Sequence, residues 1–167
     1  MKRLILFALP LAALAQSPIE PPAGAALVMK ASAHGVQIYQ CKPSVEDASK
    51  YVYDAAHAEP DALLSNSRGE VIIHHYLNFD PAGPAWEAKD GSKLVGKKLD
   101  PAEPHSGTIP WLKLQVVAHE GKGVLSKVTY IQRVDTEGGV APAGACDPSK
   151  AARVRVPYKA TYQFYTN

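Results

Sequence analysis

The amino-acid sequence predicts an all-β protein, either an antiparallel β-sandwich or a partly closed β-barrel in one domain, with long loops rich in proline and glycine. Two observations support this. No window keeps apolar residues at the helical period of 3.6 beyond one or two turns. Short segments with strand-like residues are instead separated by turn-forming residues at regular spacing, which is typical of antiparallel β architectures.

The first 15 residues have the pattern of a secretory signal peptide. Lys2 and Arg3 form a basic region, and the apolar run after them ends in Ala13-Leu14-Ala15, so cleavage is expected before Gln16. The alternative is a membrane anchor, but an apolar run of roughly a dozen residues interrupted by Pro10 is too short to cross hydrocarbon about 30 Å thick. The sequence therefore predicts an exported protein, periplasmic or secreted, with no membrane span after cleavage.

Removal of that segment leaves almost no net charge. The full sequence has 18 Lys and Arg against 16 Asp and Glu, and the segment takes Lys2 and Arg3 with it, so 16 of each remain. No basic cluster resembles a surface that tracks phosphates. We therefore expect no nucleic-acid partner.

The two cysteines are Cys41 and Cys146. An exported chain meets an oxidising compartment, so they are expected to form a disulfide. A reactive thiol or a metal ligand is the alternative, but neither cysteine lies in a C-x-x-C motif or beside a histidine.

One β domain is expected over residues 25–167, after a proline-rich, extended lead-in at 16–24. The first strand is expected to begin within 25–32. Further strands are predicted where apolar and polar residues alternate or where apolar residues cluster between turn signals. These segments are 35–42, 51–54, 70–78, 85–89, 92–96, 111–118, 124–134 and 153–165.

Turn-forming residues separate these strands. Residues 60–64 begin with proline and are predicted to form one helical turn. Asp90-Gly91 predicts a two-residue β-hairpin, the strongest local signal in the chain. Loops are expected at 99–108 and 136–150. Pro157 lies inside the predicted closing strand, and because proline donates no hydrogen bond it predicts a sheet edge or a bulge there.

A series of short motifs resembles a known family. In chain order they are G-x-Q-I-Y-x-C, P-x-A-L-L, H-Y followed by GPAWEAKDGS, I-P-W-L-K-L, V-T-Y-I-Q-R-V-x-T-x-G-G-x-A-P and VPYKATYQFY. Together they resemble the DUF3455 family, exported proteins of bacteria and fungi, over nearly the whole mature chain. The family has no agreed activity, so the resemblance implies export and a shared fold but no substrate.

The candidate ligand-binding residues are aromatic or polar side chains on the predicted strands or beside the Asp-Gly turn. They are His75, Trp86, Glu87, Asp90, Trp111, Tyr130 and Arg133. Arg133 shares what should be the inner face with Ile131, and a charge buried there is costly without a partner. A carboxylate such as Glu87 or Asp90 could supply one, and so could a carboxylate or phosphate of a ligand.

The histidines do not predict a metal site. His74 and His75 are adjacent on a predicted strand, so their side chains point to opposite faces and cannot readily chelate one ion together. The other four histidines have no ligand spacing among them. We also expect no nicotinamide cofactor, since no G-x-G-x-x-G motif lies between a strand and a helix.

Three functions fit these features. The leading hypothesis is a noncatalytic module that binds a small molecule or a glycan in a pocket lined by His75, Trp86, Trp111, Tyr130 and Arg133. The second is an exported hydrolase or lyase that uses His75 as a base with Glu87 or Asp90. The third is an envelope protein with structural or protein-binding roles.

Overall fold

The computed structural model describes residues 17–167, with the backbone alone at 100 and 101. The predicted signal peptide, residues 1–15, lies outside the described residues. The strands are β1 (Ala26–Pro43), β2 (Tyr51–Tyr53), β3 (Glu59–Ser65), β4 (Val71–Phe79), β5 (Ala82–Ala88), β6 (Lys93–Glu103), β7 (Trp111–Glu120), β8 (Tyr130–Gly138) and β9 (Arg153–Thr166). A 3-10 turn, Ala55–His57, lies between β2 and β3. Within residues 17–167, no helix is long and apolar enough to cross a membrane.

Eight strands close into an antiparallel barrel. The order around the barrel is β1-β3-β4-β5-β6-β7-β8-β9, and β9 pairs with β1 to complete the ring. The short strand β2 pairs with the end of β1 beside the ring. Closure leaves the eight strands without a free sheet edge. The prediction of an all-β protein is confirmed, and the barrel is the predicted architecture that the chain adopts.

β1 is the strand that closes the barrel, because it pairs with β3 on one side and β9 on the other. Gly35 lies near its middle, and a Cβ added there would lie 2.2 Å from the carbonyl oxygen of Asp61 and 2.4 Å from the Cα of Ala62. Only glycine fits this close approach of two backbones. Glycines at such positions let a strand bend around a barrel corner.

One end of the barrel is filled with apolar side chains. Leu125 and Val128, in the loop between β7 and β8, are fully buried and join the core with Ile131 and Phe164. This packing explains one error in the sequence-based prediction. Residues 124–129 were expected to extend the strand that follows them, but they form a turn from which Leu125 and Val128 point inward, so β8 begins at Tyr130.

The prediction of a helical turn at 60–64 is wrong, since these residues lie in β3. Pro60 pairs with Gln37 of β1, while pairing between β3 and β4 is registered only from Asp61 onward. Proline is tolerated where one side of a strand is unpaired. Proline lacks an N–H, which is tolerated both at the start of a helix and on the unpaired side of a strand. Pro60 alone therefore did not distinguish a helical turn from a strand.

Pro157 follows the same rule, and here the prediction is confirmed. It pairs with Val36 of β1, but the ladder between β9 and β8 ends at Tyr158. Pro157 therefore lies at a local edge of a strand that is central elsewhere.

The Asp-Gly hairpin is confirmed, with a longer turn than predicted. The backbone N–H of Ala88 donates to the carbonyl of Ser92 at 2.8 Å, so Lys89, Asp90 and Gly91 form the turn. Gly91 has φ 83°, the left-handed conformation that ends such a turn. The loop predicted at 99–108 is shorter than expected, because β6 continues to Glu103.

Candidate functional site

A cavity of about 380 Å³ opens at the end of the barrel opposite Leu125 and Val128. Its rim includes the 3-10 turn, the loop before β7 and the loop after β8. The apolar residues of its wall include Leu77, Pro84, Ile109, Leu112 and Leu114. The polar or aromatic residues include Gln37, Tyr39, His75, Trp86, Arg133 and Tyr162. A few polar groups in a mostly apolar concave wall are typical of small-molecule sites.

A disulfide holds part of the rim. It joins Cys41, near the end of β1, to Cys146 in the loop after β8, with 6.0 Å between the Cα atoms, and so confirms the predicted pair. The backbone N–H of Cys146 also donates to the carbonyl of Tyr51 in β2 at 2.9 Å. The same loop contributes Val140 and Ala141 to the cavity lining. The bridge therefore anchors to the barrel a segment that shapes the entrance.

His75 faces the interior from β4 and is 2% exposed. Its Nδ1 lies 2.8 Å from the carbonyl oxygen of Ala85, and because a carbonyl only accepts, Nδ1 carries the proton and Nε2 is an acceptor. Burial, together with the positive charge of Arg133, lowers the pKa of His75 from 6.5 to about 3. His75 is therefore a neutral hydrogen-bond acceptor in the cavity wall and a weak base at neutral pH.

The rings of Trp86 and Tyr162 hold His75 in place. The imidazole stacks on Trp86 at 4.2 Å between centroids and 9° between planes, and it meets Tyr162 edge-on at 5.2 Å. Trp86 is 1% exposed, and its Nε1 has no hydrogen-bond partner among the described residues. This aromatic cluster gives the cavity a rigid wall.

Arg133 lines the cavity from β8. Its Nε and Nη2 donate to the backbone oxygen of Pro110 at 3.2 and 2.9 Å. The carboxylate partners expected from the sequence, Glu87 and Asp90, are not beside it. Within the described part of the chain, Nη1 has no hydrogen-bond partner, so this edge of the guanidinium is available to a molecule in the cavity.

Glu87 lies on the outer face of the barrel. It pairs across the β4–β5 ladder with His74, whose side chain faces away from that of His75. Its carboxylate accepts a hydrogen bond from the hydroxyl of Tyr76 at 2.8 Å. The structure therefore does not bring Glu87 to the cavity.

Asp90 lies in the β5–β6 turn, at the filled end of the barrel. Its carboxylate accepts hydrogen bonds from the backbone N–H of Val124 at 2.7 Å and of Ser92 at 2.9 Å. These bonds connect the turn to the loop that closes the barrel. Hydrogen bonds to its carboxylate lower the pKa of Asp90, and the bond from the Ser92 hydroxyl has the largest effect. Neither Asp90 nor Glu87 approaches His75, so the catalytic set required for the hydrolase or lyase is not assembled.

Trp111 and Tyr130 also lie outside the cavity. Trp111 precedes Leu112, which faces inward, so the indole lies on the outer face, with its ring centroid 4.2 Å from that of His105. Tyr130 precedes the core residue Ile131 and faces outward for the same reason. Of the predicted site residues, the structure brings together His75, Trp86 and Arg133.

Most of the lining residues were not among the predicted set, including Gln37, Tyr39 and Tyr162. The alternation in β1 places Gln37 and Tyr39 on one face, but alternation alone does not say which face is inside. Gln37 is buried, and none of the hydrogen bonds among the described side chains involves its amide. The sequence signal that could have identified Gln37 as a lining residue is its position on the same strand face as Tyr39.

These features define a closed antiparallel β-barrel with one filled end and one open, ligand-sized cavity whose rim is joined by a disulfide. The chain belongs to the family described as protein of unknown function (DUF3455), whose model matches residues 22–166. No curated protein and no solved structure gives a significant match to this chain.

Proposed function

We propose that the protein binds a small organic molecule in the barrel cavity and does not transform it chemically. The observation that carries this proposal is the set of inward polar groups that lack described protein partners in an otherwise apolar wall. They are Nη1 of Arg133, Nε2 of His75 and the amide of Gln37. In a narrow cavity with a mostly apolar wall, a few polar groups of this kind can bond to a ligand and fix its orientation.

The size of the cavity favours a small molecule over an extended glycan. A volume of about 380 Å³ lies near the lower end of the roughly 300–1,000 Å³ range of ligand pockets. The lining comes from inside a closed barrel. One sugar unit or one small acid suits this space better than a chain of sugars.

Thermal unfolding against a panel of sugars and organic acids tests this proposal. A ligand at about 100 times its Kd is expected to raise the Tm by about 5–10 °C. Trp86 offers a second signal, because it lines the cavity. In a Trp111→Phe protein it is the remaining tryptophan, so its emission should change on binding.

Two matched variants link the signal to the cavity. Ala141→Phe places a ring in the lining, while Ala143→Phe places the same ring at an exposed position of the same loop. The first should abolish the ligand-induced rise in Tm and the second should preserve it. Equal binding by both variants, or no stabilisation by any compound of the panel, would contradict the proposal.

We further infer that the protein works outside the cytoplasm. The disulfide and the signal-like start of the sequence support this inference. Intact-mass spectrometry of protein recovered from the periplasm or the medium should give a chain that begins at Gln16. Recovery with Met1 retained, or in the cytoplasm with both thiols reduced, would count against export.

A further inference from the structure

We propose that the cavity binds a small carboxylic acid, with the carboxylate against the guanidinium of Arg133 and the apolar body against the aliphatic wall. This inference rests on the proposed function and names the class of ligand. The charge of the cavity and the way in which Arg133 is held are the observations behind it.

Arg133 brings a positive charge to the cavity without a balancing negative one. None of the described ion pairs includes it, and its described hydrogen bonds go to a neutral backbone carbonyl. Arg155, by contrast, lies on the outer face and bonds the carboxylate of Asp61 at 2.8 Å. A partly buried guanidinium without an anion is stabilised when one binds.

The other described lining residues cannot supply that anion. None of them carries a carboxylate. Gln37 is neutral, His75 is neutral, and burial raises the pKa of the Tyr39 hydroxyl, which donates to the backbone carbonyl of Gly139. The negative charge must therefore come from the molecule that occupies the cavity.

The way in which Arg133 is held favours a carboxylate over a phosphate ester. The carbonyl of Pro110 fixes Nε and Nη2 and leaves Nη1 without a described partner, so little conformational freedom is lost on binding. One carboxylate balances one guanidinium and can accept two bonds from it. A phosphate ester carries up to about two negative charges. Lys98, the second cation of the lining, is already engaged in an interaction of its own.

The remaining wall indicates what the carboxylate is attached to. Leu77, Pro84, Ile109, Leu112 and Leu114 offer aliphatic contacts. The imidazole of His75 adds an acceptor at Nε2. A compact aliphatic or aromatic acid therefore satisfies both the apolar and the charged parts of the cavity, whereas an amine would lie beside Arg133 with like charge.

Titration of the Trp111→Phe protein with matched ligand pairs tests the inference. The probes are benzoate with benzamide, hexanoate with hexanamide, and phenyl phosphate. At least one carboxylate is expected to bind about 10- to 100-fold more tightly than its amide, the effect of a hydrogen bond to a charged group. Arg133→Met should remove this difference, Arg133→Lys should keep part of it, and Arg155→Met, the outer-face control, should leave it unchanged.

The outcomes separate this inference from the proposed function. The inference of a carboxylic acid is wrong if the amides bind as tightly as their acids, or if the Arg133→Met protein keeps the preference. In both cases the cavity remains a binding site. Tighter binding of phenyl phosphate than of benzoate would show that the ligand is a phosphate ester rather than a carboxylic acid. If none of these probes binds, the inference of a carboxylic acid fails, and the panel of sugars and organic acids decides the proposed function separately. Should Arg133→Met not fold, the comparison of acids with amides in the parent protein decides alone.

Discussion

Replacement of both cysteines by serine, Cys41→Ser with Cys146→Ser, is expected to lower the free energy of unfolding by about 2–5 kcal/mol. The bridge joins residues 105 positions apart, so its loss frees a long loop in the unfolded chain. On the chain-entropy model a loop of about 100 residues corresponds to ~4.7 kcal/mol. The loss should also loosen the segment that carries Val140 and Ala141, so the affinity for any cavity ligand should fall as well.

Urea unfolding of the oxidised, reduced and double-serine proteins measures the first effect. The reduced and double-serine proteins should unfold at similar, lower urea concentrations. Ala145→Ser, an exposed position beside the bridge, serves as the control and should unfold with the parent. An unfolding midpoint that reduction does not move would show that the bridge contributes nothing to stability.

Stability is expected to fall steeply as the pH decreases below 6.5, because of His75. The folded protein holds this imidazole neutral down to a pKa of about 3, whereas the unfolded chain protonates it near 6.5. The unfolded state therefore binds the extra proton between these values, so unfolding becomes more favourable as the pH falls. The slope approaches ~1.4 kcal/mol per pH unit, and the full loss is on the order of 4 kcal/mol by pH 3. Above pH 6.5 the effect vanishes.

A His75→Phe variant isolates this contribution. Phenylalanine keeps a ring against Trp86 and does not titrate. The stability of the variant should therefore change less between pH 6.5 and 5 than that of the parent. At pH 7 the variant should be less stable than the parent, because the bond to Ala85 is lost. His34→Phe, at an exposed position, is the matched control and should follow the parent. Chemical unfolding at several pH values measures the slopes. Parallel slopes for the parent and His75→Phe would mean that His75 takes up its proton in the folded state as readily as in the unfolded chain.

Local features of the sequence predicted much of the fold. Alternation in β1 and the closing strand, and Asp90-Gly91 between two strand signals, depend on neighbours in sequence and were visible without tertiary information. The structure at Pro60 does not follow from its neighbours in sequence. Its missing N–H fits both a helix start and an unpaired strand side, and only the pairing of β3 with β1 and β4 distinguished them.

The candidate site was predicted in part for a similar reason. His75, Trp86 and Arg133 lie on predicted strands, and the structure brings them to one cavity. Glu87 was a candidate as a carboxylate partner of Arg133 or His75, but its side chain faces the opposite side of the sheet from theirs. Arg133 was expected to need a partner such as a carboxylate. It instead donates to the backbone carbonyl of Pro110, and the side chains in the sequence do not predict a backbone contact.

By itself, the sequence determined that this protein is built from strands and which cysteines pair, because residue alternation is local and two cysteines allow one intramolecular bridge. The tertiary structure alone decided that the sheet closes on itself, that one end fills while the other stays open, and that the guanidinium of Arg133 meets a carbonyl. These outcomes depend on the register of β1 against β9 and on a loop that folds back into the barrel. The pairing of β1 with β9 joins residues more than a hundred positions apart, and Arg133 lies 23 positions from Pro110, so no short window of sequence contains these contacts.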